Sequence, residues 1–191
     1  MTQAEHGPGE AQARTLAMAR AGELAGQWRL DAGASRVEFG VPHFWHAITV
    51  RGWFEQLEGE ATVGPDGTVS GQLVIGAASL TTKNKQRDKH LRSADFFDAD
   101  NHAQVVVTVQ QAALADDGHL TAEGTLEAAG TTEPVTFTAE IVEASADAVT
   151  LRASVTIDRS RFGMTWSPMK IAAMEATGTV TARFTREPAA G

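Results

Sequence analysis

The sequence contains no cysteine, which excludes disulfide bonds, thiolate nucleophiles, cysteine zinc sites and covalent c-type haem attachment. Positive charge is scarce: 16 lysine and arginine residues against 24 aspartate and glutamate give a formal net charge of -8. Affinity for a phosphate backbone comes largely from net positive surface, so nucleic acid is not expected as a partner. Long hydrophobic runs are missing as well. From Met1 to Gln27 the chain is interrupted by Glu5, Glu10, Arg14, Arg20 and Glu23, and its longest apolar run is Leu16 to Ala19. A secretory signal needs a longer apolar region and a membrane span needs about 20 apolar residues, so the expectation is a cytoplasmic protein without membrane insertion. Enzyme signatures are absent too: there is no Gly-x-Ser-x-Gly elbow, no phosphate loop and no dinucleotide fingerprint.

What is present is ordinary in amount and unusual in kind. Hydrophobic residues make up 42% and charged residues 21% of 191 residues, enough for one domain with a sizeable core. Val, Thr, Ala and Gly dominate, which points to strands. Period-two alternation starts near Trp28 and recurs to Phe184. Val37, Phe39 and Val41 share one face; Ile48, Val50, Gly52 and Phe54 share another, against Thr49, Arg51 and Trp53. Gly64-Pro65-Asp66-Gly67 and Asp116-Asp117-Gly118 are turn clusters between such runs. Val135, Phe137, Ala139 and Ile141 are expected to pair with Val149 through Ile157 across a turn at Ala144 to Asp147. Long strands joined by short turns suit an antiparallel meander better than a βαβ scheme. Small residues on the inward faces (Gly52, Gly71, Gly124, Ala153, Gly178) suit a curved sheet around a hollow, and an eight-stranded barrel is wide enough for one small ligand. Residues 26–186 form the barrel domain in this reading, and 187–191 a tail. Residues 1–25 are an extension, either a weak amphipathic helix or disordered.

One charged, helix-capable island interrupts the strands. From Lys83 to Arg92 it carries Lys83, Lys85, Arg87, Lys89 and Arg92 against a single acid, Asp88. On a helix Arg87, His90 and Leu91 fall on one face, presenting a guanidinium, an imidazole and an apolar anchor. Asp95-Phe96-Phe97-Asp98 follows, and its two rings cannot both point one way if extended.

Three separated stretches are similar to the YceI-like family of lipid- or polyisoprenoid-binding proteins. The first is Trp28-Arg29-Leu30-Asp31 with Ser35 to Phe39, Val41-Pro42-His43 and Val50-Arg51-Gly52-Trp53-Phe54. The second is Arg87-Asp88-Lys89-His90-Leu91 with Asp95-Phe96-Phe97-Asp98, and the third is Ile157-Asp158-Arg159-Ser160-Arg161-Phe162-Gly163-Met164. They occur in the family's order and cover about Gly26 to Phe184. The resemblance implies an all-β, extended, eight-stranded antiparallel lipocalin-like barrel with a short helix inserted around 84–92. It further implies an interior that takes an isoprenoid, isoprenoid quinone or fatty-acid derivative, no further cofactor, and pairing into a homodimer. Two features depart from the family pattern: aromatics flank the histidine in Pro42-His43-Phe44-Trp45, and Asn101-His102-Ala103 stands where the family usually has proline.

The expected ligand-binding set is Phe39, His43, Phe54, Arg87, His90, Leu91, Phe97, Phe137, Arg159 and Phe162. Phe39, Phe54 and Phe137 fall on inward faces; the other aromatics, Trp53, Phe96 and Trp166 among them, read more often as simple core than as cavity lining. Two roles stay open for His43, Arg87, His90 and Arg159. They either ring a mouth and meet a polar headgroup, or fasten the scaffold, with Arg159 paired to Asp158 or Asp98. A metal at His43 and His46 is disfavoured, because strand spacing puts the two on opposite faces and no carboxylate adjoins. Catalysis by Asp88 with His90 on a bound isoprenoid, and a protein-interaction module using an exposed strand edge, are the competing readings.

Overall fold

Alternation along the chain is realised in eleven β-strands and two α-helices in a computed structural model that describes residues 8–44, 47–115 and 118–188. In chain order these are α1 (Pro8–Arg20), β1 (Gly26–Leu30), β2 (Arg36–His43), β3 (Ile48–Phe54), β4 (Leu57–Val63), β5 (Val69–Gly76), β6 (Leu80–Thr81), α2 (Lys85–Leu91), β7 (Gln104–Leu114), β8 (His119–Ala128), β9 (Thr131–Ala144), β10 (Ala148–Asp158) and β11 (Glu175–Arg186). The Asp116-Asp117 part of the expected turn, with Trp45, His46 and residues 1–7 and 189–191, lies outside the described residues.

The eleven segments make eight staves, because three staves are bent. β1 and β2 both pair with β11, at opposite ends of it. β4 pairs with β1 while β3 pairs with β2, and β5 pairs with β4 while β6 pairs with β3. The remaining neighbours run β5-β7-β8-β9-β10-β11, and β1 against β11 closes the ring. Every pairing is antiparallel, giving a closed eight-stave meander. The bends have local causes. Asp31 caps the Ala32–Ala34 turn by accepting from the Gly33 and Ala34 N–H groups. The Ser79 hydroxyl accepts from the Glu55 and Gln56 N–H groups, so one side chain satisfies the backbone where β3 turns into β4.

Alternating turns place the chain's connections at two ends. The lower end holds the β4–β5, β7–β8 and β9–β10 turns together with α1. There Met18, Leu24 and Trp28 form a small buried cluster against Ala61, Val63, Val149 and Phe184, and Trp28 Nε1 donates to the Leu24 carbonyl at 3.0 Å. The Arg186 guanidinium lies 5.0 Å over the Trp28 ring and donates to the Ala25 and Ala146 carbonyls, tying the α1–β1 link to the β9–β10 turn. Helix α1 is therefore the floor of the barrel. The upper end holds the β2–β3 and β8–β9 turns, α2, and the long β10–β11 connection.

The wall is incomplete in its upper half, and here one sequence expectation is corrected. β10 meets β9 only over Val149–Ala153 against Ala139–Ala144, so Val135 and Phe137 do not pair with Val155 and Ile157. Thr131–Thr138 pairs instead with β8 alone, through a turn in which Ala129 and Gly130 both take positive φ, 47° and 74°. The short 3-10 turn Arg159–Phe162 sits beside the splayed strands, and Arg161 pairs with Glu133.

A candidate apolar ligand site inside the barrel

Inward side chains of the staves are mostly Val, Leu, Ile, Ala and Gly, with Phe39, Phe54, Phe137 and Phe184 among them, and they leave an interior cavity of about 430 Å³. Its wall includes Val107, Val109, Phe137, Ile141, Leu151 and Val180, and it runs from Thr15, Ala19 and Leu24 of the floor to Arg87, His90 and Trp166 at the upper end. All ten residues of the expected set, Phe39, His43, Phe54, Arg87, His90, Leu91, Phe97, Phe137, Arg159 and Phe162, line it. Trp53 does not; it faces outward under Arg36 and Lys83, which lie 5.1 and 5.3 Å from its ring.

The upper end is built by packing rings. Phe97 meets Phe54 at 5.7 Å and Phe39 at 6.5 Å, both edge-on, and the three rings pack together at the α2 end of the cavity. Phe96 turns the other way, 5.2 Å from His90 and 5.8 Å from Trp166, and the His90 and Trp166 rings are 4.4 Å apart.

Polar groups of the island divide between scaffold and cavity. Asn84 caps α2 by accepting from the Arg87 N–H. Asp88, 6% exposed, accepts from the Thr82 N–H at 2.8 Å, from the Thr82 hydroxyl at 2.5 Å and from the Thr81 hydroxyl at 3.2 Å. Arg87 donates Nε to the Thr82 hydroxyl and Nη2 to the Thr82 carbonyl, so it also fastens α2 to β6. His90 shares a 2.9 Å hydrogen bond with Asp95, not with Asp88, so the Asp88–His90 pair of the competing catalytic reading does not form. His43 contacts the Val41 carbonyl through Nδ1. Among the described residues no group of three or more His, Asp or Glu side chains could hold a metal ion, and His46 is outside them.

Burial pushes the Asp88 carboxyl up, but hydrogen bonds from Thr82 and Thr81 and the nearby Arg92 charge outweigh it and hold the group below the usual carboxylate value. A depressed folded-state value means the stabilisation is complete above the unfolded value, near pH 4, and is lost as pH falls through the folded one. The thermal midpoint is therefore expected to drop on acidification below about pH 4, and Asp88→Asn to flatten that drop while costing about 2 kcal/mol at pH 7. A variant with the same acid slope as the wild type assigns the drop to other carboxylates.

Arg159 fastens the scaffold, through partners other than the two carboxylates that its scaffold role suggested. It is 5% exposed, and its hydrogen bonds go to main-chain carbonyls rather than to Asp158 or Asp98. Nε donates to Ala173 at 2.8 Å, Nη1 to Met164 and Nη2 to Trp166 at 3.1 Å. Its Cζ lies 5.7 Å from the Phe96 ring. Burial lowers its pKa from the ordinary value and Asp158 opposes that shift. Three of five guanidinium N–H groups are used, which leaves donor capacity beside the cavity.

Sequence reasoning did not reach the lower half of the site. Thr15, Ala19 and Leu24 of the α1 region, with Trp28 and Phe184, line the cavity. The available signal was the Leu24–Trp28 spacing next to the apolar Leu16–Ala19 run, too short to separate a floor from a loose extension.

Comparison with known proteins places the chain. The YceI-like domain family model matches residues 28–185, so α1 precedes the matched region. A UPF0312 protein of Vibrio cholerae is 29% identical over 113 residues, 58% of this chain and 59% of that protein. Protein YceI of Shigella flexneri is 28% identical over 123 residues, 62% of this chain and 63% of that protein. These matches thus span about three fifths of the curated relatives' length. Among solved structures, BcnA of Burkholderia cenocepacia superposes with a TM-score of 0.74 at 21% identity, covering 81% of this chain and 98% of that one. A polyisoprenoid-binding domain from Saccharophagus degradans superposes with a TM-score of 0.68 at 14% identity, covering 84% and 98%. A closed antiparallel barrel, the ordered motifs around Phe39, Arg87 and Arg159, and a family match over most of its length show that this chain belongs to the YceI-like domain family.

Proposed function

We propose that the protein binds a long-chain apolar molecule of the isoprenoid, isoprenoid quinone or fatty-acid type inside its barrel and carries or stores it without chemical change. The cavity carries this reading. At about 24 cal/mol per Å³, leaving 430 Å³ empty inside a core costs on the order of 10 kcal/mol. Whole domains are stable by only about 5–15 kcal/mol, so a void of this size is not a packing accident. A chain that buries roughly 400 Å² of apolar surface there gains about 10 kcal/mol before association costs, and no catalytic group is needed for that. Arg87, His90 and Arg159 lie at the α2 end, which suits a polar headgroup there and a tail running toward α1. The Saccharophagus neighbour, described as a polyisoprenoid-binding domain, supports the same ligand class.

Organic extraction of the purified protein followed by mass spectrometry tests this directly, with one apolar molecule per chain expected. Gly178 gives the matching variant. A Cβ there would sit 3.5 Å from Val155 Cγ1, an ordinary contact, so the backbone accepts a side chain that projects into the cavity. Gly178→Trp is expected to remove the extractable molecule while the far-ultraviolet spectrum keeps its strand signature. Undiminished ligand in that variant, or none in the wild type, would sink the proposal.

A further inference from the structure

The four large exposed hydrophobic side chains among the described residues gather on one rim. Phe44 (46% exposed) and Ile48 (56%) belong to the β2–β3 hairpin, and Trp166 (43%) and Met169 (86%) to the β10–β11 connection. These two segments are hydrogen-bonded to each other. His43 forms an antiparallel bridge with Ala172, the Phe44 N–H donates to the Ile171 carbonyl at 2.9 Å, and the Ala173 N–H donates to the Pro42 carbonyl at 2.9 Å. Apolar side chains scattered singly over a surface need no explanation; a joined group does.

Three further observations bear on the same rim. Phe44, Met169 and Lys170 take positive φ, 50°, 53° and 56°, conformations that disfavour any residue with a Cβ, yet the side chains they hold are exposed and gain no core packing. Residues 39–54 and 159–174 contain no Asp or Glu, in a chain of net charge -8; Arg159 is buried and Arg161 pairs with Glu133, so Arg51 and Lys170 are the exposed cations that bear on the rim. The rim is also continuous with the cavity: His43, Trp166 and Ala172 line it, and Ile48 extends the inward-facing column of Val50 and Phe54 past the lip.

We propose that this rim docks on the surface of an anionic lipid bilayer, with Phe44, Ile48 and Met169 entering the acyl boundary and Arg51 and Lys170 against headgroup phosphates. Exposed apolar side chains flanked by cations are what such a surface selects. The chain as a whole, at net charge -8, is repelled by such a surface, so the rim sets the orientation, cavity mouth down. That docking serves to load or unload the barrel rests on the ligand reading above; the docking itself does not.

Co-sedimentation of the full chain with vesicles tests it. Binding is expected to an equimolar mixture of phosphatidylcholine and phosphatidylglycerol and to be much weaker on phosphatidylcholine alone. Met169→Glu, at a fully solvated position, is expected to lower partitioning at least about tenfold, and Lys170→Gln about fivefold. A wild-type chain that ignores the mixed vesicles, or a Met169→Glu variant that binds them equally well, overturns the proposal. So does a wild-type dimer that Met169→Glu converts to monomer in a sedimentation-velocity run, which would assign the rim to a second copy. Vesicle binding by a protein that yields no extractable ligand would leave docking standing and remove the ligand reading; ligand without vesicle binding would do the reverse.

Discussion

Replacing Arg159 by methionine is expected to destabilise the protein by about 4 kcal/mol or more, although the two side chains are similar in length. The guanidinium is the hydrogen-bond donor for the carbonyls of Met164, Trp166 and Ala173, which belong to a connection with little regular structure of its own. Methionine offers none of these bonds, and each carbonyl left buried without a partner costs about 1–3 kcal/mol. For a chain of this size the thermal midpoint should fall by roughly 8–16 °C, at 2–4 °C per kcal/mol. The comparison variant is Arg161→Met. Arg161 is half-exposed and pairs with Glu133, and a pair of that kind contributes less than about 1 kcal/mol. If Arg159 served only a ligand headgroup, Arg159→Met would empty the cavity and leave the midpoint of the ligand-free protein unchanged. A midpoint loss in ligand-free protein assigns it a structural role first, with its two remaining N–H groups left for a ligand.

Gly124→Ala is expected to cost at least about 3 kcal/mol for a different reason. β7 is bulged between Val109 and Gln111 where it faces β8, and this brings the two backbones together at Gly124. A Cβ at that position would lie 1.8 Å from the Thr108 carbonyl oxygen and 2.9 Å from its carbon, both main-chain atoms that no rotamer change can move. The strands must separate, breaking ladder bonds on either side. Gly178→Ala is the control, because its added Cβ meets only an ordinary contact in a strand; it should be neutral or stabilise by up to about 1 kcal/mol. Chemical denaturation of both variants separates these outcomes. Equal midpoints would mean that the bulge relaxes without cost and the close approach is not a constraint.

The candidate site was legible in the sequence to the extent that it follows strand parity and motif. Phe39, Phe54 and Phe137 lie on inward faces because side chains alternate, and parity is a local property of a strand. Roles of the charged residues were not legible. Arg87 and Arg159 occupy the motifs that suggested headgroup contacts, yet both spend most of their hydrogen bonds on the chain itself: Arg87 on Thr82, and Arg159 on three carbonyls 5 to 14 residues away. Which carbonyl reaches which guanidinium depends on the path of the connecting chain, and residue type does not encode that path. Asp88 and His90 show the same limit. Their residue types raised a competing acid/base pair that the helical spacing already disfavoured, and the fold gives Asp88 to Thr81 and Thr82 and His90 to Asp95.

By itself the sequence determined the all-β class, an antiparallel meander and the helix at the charged island, and its ordered motifs carried the resemblance that implied eight strands, because alternation, turn residues and motifs are properties of short stretches. Tertiary structure alone decided where staves bend, that β9 parts from β10 above Ala139, that α1 floors the barrel, and that Phe44, Ile48, Trp166 and Met169 share one rim. Each of those depends on segments far apart in the chain meeting in one place. Such meetings are set by closure of the sheet, and the local pattern of side chains carries no record of them.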